Sequence, residues 1–167
     1  MGHRIAPLLI ALWIVISPAA AQEAELDFGP TDHDAAAPIE VTSERLSVDQ
    51  SAGITVFTGD VVIAQGAMRL SADRVEVDYG EGGAPGRDRI RRMTATGGVT
   101  AVSGEQEAEA AEAVYDVASG RIEMRGDVLL TQSGSAITGD VLVIDLADGT
   151  GTMEGRVRTL LQPDARE

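Results

Sequence analysis

Arg121-Ile122-Glu123-Met124-Arg125-Gly126-Asp127-Val128-Leu129-Leu130 alternates around its glycine. Ile122, Met124, Val128 and Leu130 lie at even offsets from Gly126, whereas Arg121, Glu123, Arg125 and Asp127 lie at odd ones. Successive side chains of a strand point to opposite faces, so period two reads as one apolar and one wet face. The same word recurs as Gly59-Asp60-Val61, Gly97-Gly98-Val99 and Gly155-Arg156-Val157, at separations of 38, 29 and 29 residues. An insertion at 80–89, GEGGAPGRDR, accounts for the longer step and reads as a hairpin tip. A second word precedes each glycine: Glu44-Arg45-Leu46-Ser47-Val48-Asp49, Asp73-Arg74-Val75-Glu76-Val77-Asp78, Glu112-Ala113-Val114-Tyr115 and Asp140-Val141-Leu142-Val143-Ile144-Asp145. The chain is thus about four copies of a two-strand unit.

The even set of the other copies is Thr55, Phe57, Val61 and Ile63; Met93, Ala95, Val99 and Ala101; Gly151, Met153, Val157 and Thr159. Ile54, Val56 and Val62 blur the pattern in the first copy. Each glycine falls on the apolar face, where strand glycine marks a bend, a bulge or a close approach of backbones. Four in register imply sheets that bend along one line. Residues 105–113 are rich in Ala and Glu but carry no apolar stripe, so they are not assigned to a helix. The expected class is all-β: repetitive, curved and two-layered.

The N-terminus sets the compartment. Arg4, an apolar run over 5–16 and Ala19-Ala20-Ala21 form the pattern of a secretory signal peptide over 1–21, cut before Gln22. The run is shorter than the ~20 residues of a membrane span, although a retained anchor is the alternative. Residues 22–37, broken by Pro30, read as a flexible leader, 38–161 as the folded domain and 162–167 as a tail. With a net charge of −14, the chain is a poor match for nucleic acid or an anionic membrane surface. It has no cysteine, hence no disulfide and no thiolate site.

Catalysis has little to build on. The two histidines, His3 and His33, lie outside the repeats, so the domain lacks the usual neutral-pH acid–base and a His triad. Asp49, Asp78 and Asp145 recur at equivalent turns, and Asp60 and Asp127 on the wet face; turn geometry and edge protection explain them. Residues 145–151 lack the alternation of a calcium loop, and no helix follows 80–86 to make a phosphate loop. Neither a cofactor nor a metal is expected. Arg87, Arg89, Arg91 and Arg92 form a basic run that serves either as a solvated hairpin stem or as a contact for an anionic group. The apolar face builds either a dry core or a groove for alkyl chains. Interspersed small residues, with Met68, Met93, Met124 and Met153 as adaptable surface, are the hints toward a groove.

Several words in order carry a resemblance. They are Pro38-Ile39-Glu40-Val41, Ser43-Glu44-Arg45-Leu46, Phe57-Thr58-Gly59-Asp60-Val61-Val62-Ile63-Ala64-Gln65-Gly66 and Met68-Arg69-Leu70-Ser71-Ala72-Asp73-Arg74-Val75. Ala113-Val114-Tyr115-Asp116-Val117 with Gly120, and Ile137-Thr138-Gly139-Asp140, complete the set. Together, over about 38–157, they resemble the organic-solvent-tolerance/LptA (OstA-like) family of lipopolysaccharide-transport proteins. The resemblance implies a V-shaped antiparallel β-jelly roll in the periplasm, without catalytic residues, whose apolar interior receives lipopolysaccharide acyl chains during transport to the outer membrane. Carried onto this chain, the lipid-binding face would be Leu46, Val48, Phe57, Val61, Ile63, Val75, Val77, Met93, Val99, Ile122, Met124, Val128, Leu130, Leu142, Ile144, Met153 and Val157. The resemblance also implies copies joined head to tail by pairing of edge strands. The N-terminal edge near 39–43 would meet an inner-membrane partner, and the C-terminal edge near 153–161 the next copy or the outer-membrane translocon. A membrane-tethered component of the same system, and a structural β-module without lipid cargo, are the alternatives.

Overall fold

The computed structural model describes residues 24–27, 37–80 and 90–161. The proposed signal peptide, most of the hairpin tip and the tail lie outside the described residues. Among the described residues eleven strands follow one another: β1 (Ala24–Asp27), β2 (Glu40–Thr42), β3 (Arg45–Asp49), β4 (Ile54–Gln65), β5 (Met68–Asp78), β6 (Arg92–Ser103), β7 (Gln106–Asp116), β8 (Arg121–Gln132), β9 (Ser135–Asp145), β10 (Thr150–Glu154) and β11 (Arg158–Leu160). Among the described residues no helix is long and apolar enough to cross a membrane. β4 to β10 form an antiparallel meander, with β2 and β3 on β4 at one end and β10 and β11 on β9 at the other. Ala/Glu-rich β7 is a strand because its register on both neighbours places Ala108, Ala113 and Tyr115 inward, where they are buried.

The recurring glycines mark a line of bulges. Between Thr58↔Arg74 and Val61↔Ala72 the register shifts, so Gly59 and Asp60 stand opposite Asp73 alone. Gly97-Gly98 likewise stand opposite Asp73 and Ala111, and Gly126-Asp127 opposite Ala111 and Asp140. Bulges bend the strand that carries them, and a row of them folds a sheet along their line. Gly59, Gly97, Gly126 and Gly155 all take positive φ, between 74° and 86°. A Cβ on them would lie 2.9 Å from that of Glu44, 2.8 Å from Asp73, 2.8 Å from Ala111 and 2.7 Å from Asp140, respectively. The glycines therefore do not line the core. Two backbones approach at each, and a left-handed turn of chain is needed there.

The bulge also corrects the simple comb. On glycine-bearing β4 the inward phase survives, from Thr55 to Val61 and Ile63. On β5 it slips by one residue: Met68, Leu70 and Ala72 are buried before Asp73, Val75 and Val77 after it. The line divides the sheet into two layers. One contains 54–58, 74–78, 92–96, 112–116, 121–125, 141–145, β3 and β10; the other contains 61–65, 68–72, 99–103, 106–110, 128–132, 135–139, β2 and β11. Their inner faces merge into a single apolar core. Gly139 of the second layer is inward, and a Cβ there would meet the Met153 side chain of the first at 2.6 Å.

Aspartates close the turns at the outer end of the first layer. The Asp49 carboxylate accepts from the backbone N–H groups of Ser51 and Ala52, Asp78 from Gly80, Asp116 from Ser119, and Asp145 from Ala147. The expected turn role of Asp49, Asp78 and Asp145 is thus present, and Asp116 joins the series. The Ser51 hydroxyl lowers the pKa of Asp49, the Arg91 guanidinium followed by the Gly80 N–H that of Asp78, and the Ser119 N–H that of Asp116.

Two outcomes are expected. Gly126→Ala places a side chain at φ 86° and against Ala111, and loses about 2–4 kcal/mol in urea unfolding. Gly104→Ala, with φ 61° and nothing within 4 Å, loses only about 1 kcal/mol. Carboxylates with depressed folded-state pKa values stabilise above their unfolded pKa, and that stability is lost as pH falls through the folded value. The melting temperature therefore holds from neutrality to about pH 5 and falls below about pH 4. Asp49→Asn, Asp78→Asn and Asp116→Asn combined flatten that acid limb; an unchanged limb would contradict this assignment.

Candidate functional site

The candidate site is the interior between the layers. Of the expected lipid-facing residues, Val61, Ile63, Val75, Val77, Met93, Val99, Ile122, Met124, Val128, Leu130, Leu142, Ile144 and Met153 are all buried in the core, and Phe57 is partly buried against it. The structure brings these together. It does not enclose Leu46, Val48 or Val157, which are 55%, 44% and 36% exposed. Leu46 is opposite Phe57 and Val48 opposite Thr55, so both continue the inner face beyond the point where a second layer covers it. They form an apolar lip at the N-terminal end.

The interior is filled. A void lined by Ile63, Met68, Leu70, Met93, Ala95, Ala113, Tyr115 and Ile122 measures only about 10 Å³, roughly the space of one water. Met68, Met93, Met124 and Met153 are at most 4% exposed. They pack the core here instead of offering adaptable surface, because thioether side chains fill the irregular gaps between layers. Among the described residues, the open groove hinted at by the small residues is closed in this conformation.

A polar contact crosses that interior opposite the hinge. The Tyr115 hydroxyl, in the first layer, donates to Gln65 Oε1 of the second at 3.2 Å. Gln65 Nε2 donates in turn to the Ala37 carbonyl at 3.2 Å, just before β2. Gln65 is 1% and Tyr115 5% exposed, and burial pushes the Tyr115 hydroxyl above the ordinary phenol range. Both residues are about four to six positions from the bulge line, one on each layer, so the bond fastens the side of the fold away from its hinge. The signal for it in the sequence is a glutamine at an even, inward position of the Gly59 comb.

Larger clefts open on the outside of the bulge line and are polar. One of about 350 Å³ is lined by Asp127, Val128, Thr138, Gly139, Asp140, Arg156 and Arg158, with Arg156 donating to the Asp140 carboxylate at 2.7 Å. Another of about 260 Å³ surrounds Asp60 and Asp73. Their shape follows from the bulge, and their charged walls suit no alkyl chain. Among the described residues no cluster of His, Cys, Asp and Glu could hold a metal ion.

Comparison with known proteins places this geometry. The model of the LptA/(LptD N-terminal domain) LPS transport protein family matches residues 40–150. The chain is 31% identical over 115 residues to lipopolysaccharide export system protein LptA of Escherichia coli K12, covering 67% of this chain and 60% of that protein. It is 26% identical over 140 residues to LptA of Haemophilus influenzae, covering 75% and 77% respectively. Among solved structures it shares the fold of LptH, the LptA-homologous periplasmic component of the lipopolysaccharide transport device of Pseudomonas aeruginosa. The TM-score is 0.66 at 20% identity, over 80% of this chain and all of LptH.

Tyr115→Phe removes the bond between the layers and keeps the ring. The expected loss is about 1 kcal/mol in urea unfolding, with faster amide exchange in β4 and β7 than in the unaltered chain. Unchanged exchange in both strands would show that the contact does not hold the layers together.

Proposed function

The chain belongs to the LptA/(LptD N-terminal domain) family of LPS transport proteins, and on that footing we propose that it is a periplasmic carrier and bridge that shields lipopolysaccharide acyl chains between its two layers. The family is one of transport proteins, not enzymes, which agrees with a domain whose recurrent acids hold turns. The observation that carries the proposal is the largely apolar inner face, buried between the layers and continued at one end by Leu46 and Val48.

The energetics support exchange of cargo for core. Removing a methylene from water is worth about 0.8 kcal/mol. An acyl chain that slips between the layers replaces the contacts they make with each other and brings its own apolar surface out of water. The polar fastening to be broken, Tyr115 to Gln65, is worth about 1 kcal/mol. The layers part at the bulge line, and Leu46, Val48 and Phe57 offer the first apolar contact. The ends carry the joining. β2 and β3 present one edge and β11 the other, with Leu160 and Leu161 strongly exposed beside it. Unpaired edges accept strands from another chain. In this reading the N-terminal edge meets the inner-membrane partner, and the C-terminal edge the next copy or the outer-membrane translocon. A second reading, a structural module without cargo, draws on the small interior void.

Site-specific photo-crosslinking in cells separates the two. A crosslinking residue at Leu46, whose exposure tolerates it, or at Val61 or Met124 is expected to label lipopolysaccharide, while one at Arg121 or Thr94 does not. Equal labelling of both faces, or labelling of protein alone, would overturn the carrier reading.

A further inference from the structure

The segment that reads as a flexible leader is in part a strand. β1 pairs antiparallel with the outer edge of β10, in the register Ala24↔Met153, Glu25↔Thr152, Leu26↔Gly151 and Asp27↔Thr150. Its direction is informative. Along the antiparallel meander, β4, β6, β8 and β10 run one way and β3, β5, β7 and β9 the other. β1 runs with the second group. It therefore occupies the place and direction that β3 of a following copy would take if the first layer continued from one molecule into the next.

The sequence of β1 matches that place. The strands running its way end their first-layer segments in apolar, any, apolar, Asp: Leu46-Ser47-Val48-Asp49, Val75-Glu76-Val77-Asp78, Ala113-Val114-Tyr115-Asp116 and Leu142-Val143-Ile144-Asp145. Ala24-Glu25-Leu26-Asp27 is the same word. It is also in the same register. Asp145 lies opposite Thr150 on one side of β10, and Asp27 lies opposite Thr150 on the other. At the far end of the layer, β3 pairs with β4 and, among the described residues, with no other strand; its Leu46 and Val48 are exposed.

We infer that the outer edge of β10 is a strand-accepting surface for β3 of a second copy, and that the leader strand β1 is a displaceable cap that mimics β3 and holds this surface until the copies join. The inference rests on the end-to-end joining proposed above. β3 has the advantage of one more residue and of a larger apolar pair, Leu46 and Val48 where β1 has Ala24 and Leu26. β1 has the advantage of being tethered, so it yields only where copies are concentrated.

The test is the concentration dependence of self-association of the mature chain, by sedimentation velocity. Deleting residues 22–27 is expected to lower the concentration of half-association on the order of tenfold or more. The chain has no native cysteine, so Glu25→Cys with Thr152→Cys gives a single possible disulfide across the β1–β10 pair. Oxidised, that variant is expected to stay monomeric where the unaltered chain associates, and reduction restores association. An unchanged midpoint on deletion, association of the oxidised variant, or a disulfide formed between copies would overturn the cap. If neither the unaltered nor the leader-deleted chain associates at any concentration, end-to-end joining itself is wrong and the cap falls with it.

Discussion

The rest of the molecule depends on one backbone constraint: two residues of β4, β6 and β8 must fit opposite one residue of each neighbour. Only a left-handed conformation at the first of the two accommodates this, and only a residue without Cβ leaves room for Glu44, Asp73, Ala111 or Asp140 beside it. The second bulge position is less demanding. Asp60, Asp127 and Arg156 occupy it with φ between 40° and 49°. Because the bulges are stacked strand upon strand, their individual bends add into a hinge that runs across the whole sheet.

From that hinge follow the core, its fastening and its ends. Folding the sheet brings two apolar faces together, and the described residues of those faces are packed against one another in this conformation. The fold is closed on one side by continuous backbone and on the other by side chains, with Tyr115 and Gln65 supplying the one directional contact described between the layers there. The hinge is built into every strand pair from β4 to β9, whereas the opposite side is held by side-chain contacts. The proposed carriage of acyl chains draws on that difference between the two sides. The ends answer a different need. A meander that does not close leaves two edges, and here they carry exposed Leu46 and Val48 at one end and Leu160 and Leu161 at the other, instead of the lysines and prolines that commonly blunt an edge.

Much of this is legible in the residues. The even offsets around Gly126 identify the inward side chains of β8 correctly, and the words ending in Asp49, Asp78 and Asp145 mark turns that the structure builds. Elsewhere periodicity is not enough. On β5 Val75 and Val77 are inward as expected, but the phase changes at Asp73, because the extra residue sits on the neighbouring strands and a single chain does not show what lies opposite it. Asp116 makes the same kind of turn, accepting from the Ser119 N–H three residues on as Asp49 does from Ala52, although the word Glu112-Ala113-Val114-Tyr115 stops one residue short of it. Val157 keeps the parity of the comb but not its burial, for the chain there is leaving β10 for the edge strand β11. Ala24-Glu25-Leu26-Asp27 is overlooked because it stands alone, remote in sequence from the strand it joins.

By itself, then, the sequence determined the secondary-structure class, the number of repeats, the two faces of each strand and the absence of cysteine or histidine chemistry in the domain, since all of these are carried by local spacing and residue type. The tertiary structure alone decided that the recurring glycines are bulges and not core positions, that the interior is packed shut, that Gln65 reaches Tyr115 across fifty residues, and that the leader covers the far edge. Each of those depends on which backbone lies opposite which, and pairing between distant segments leaves no period in the chain that forms it.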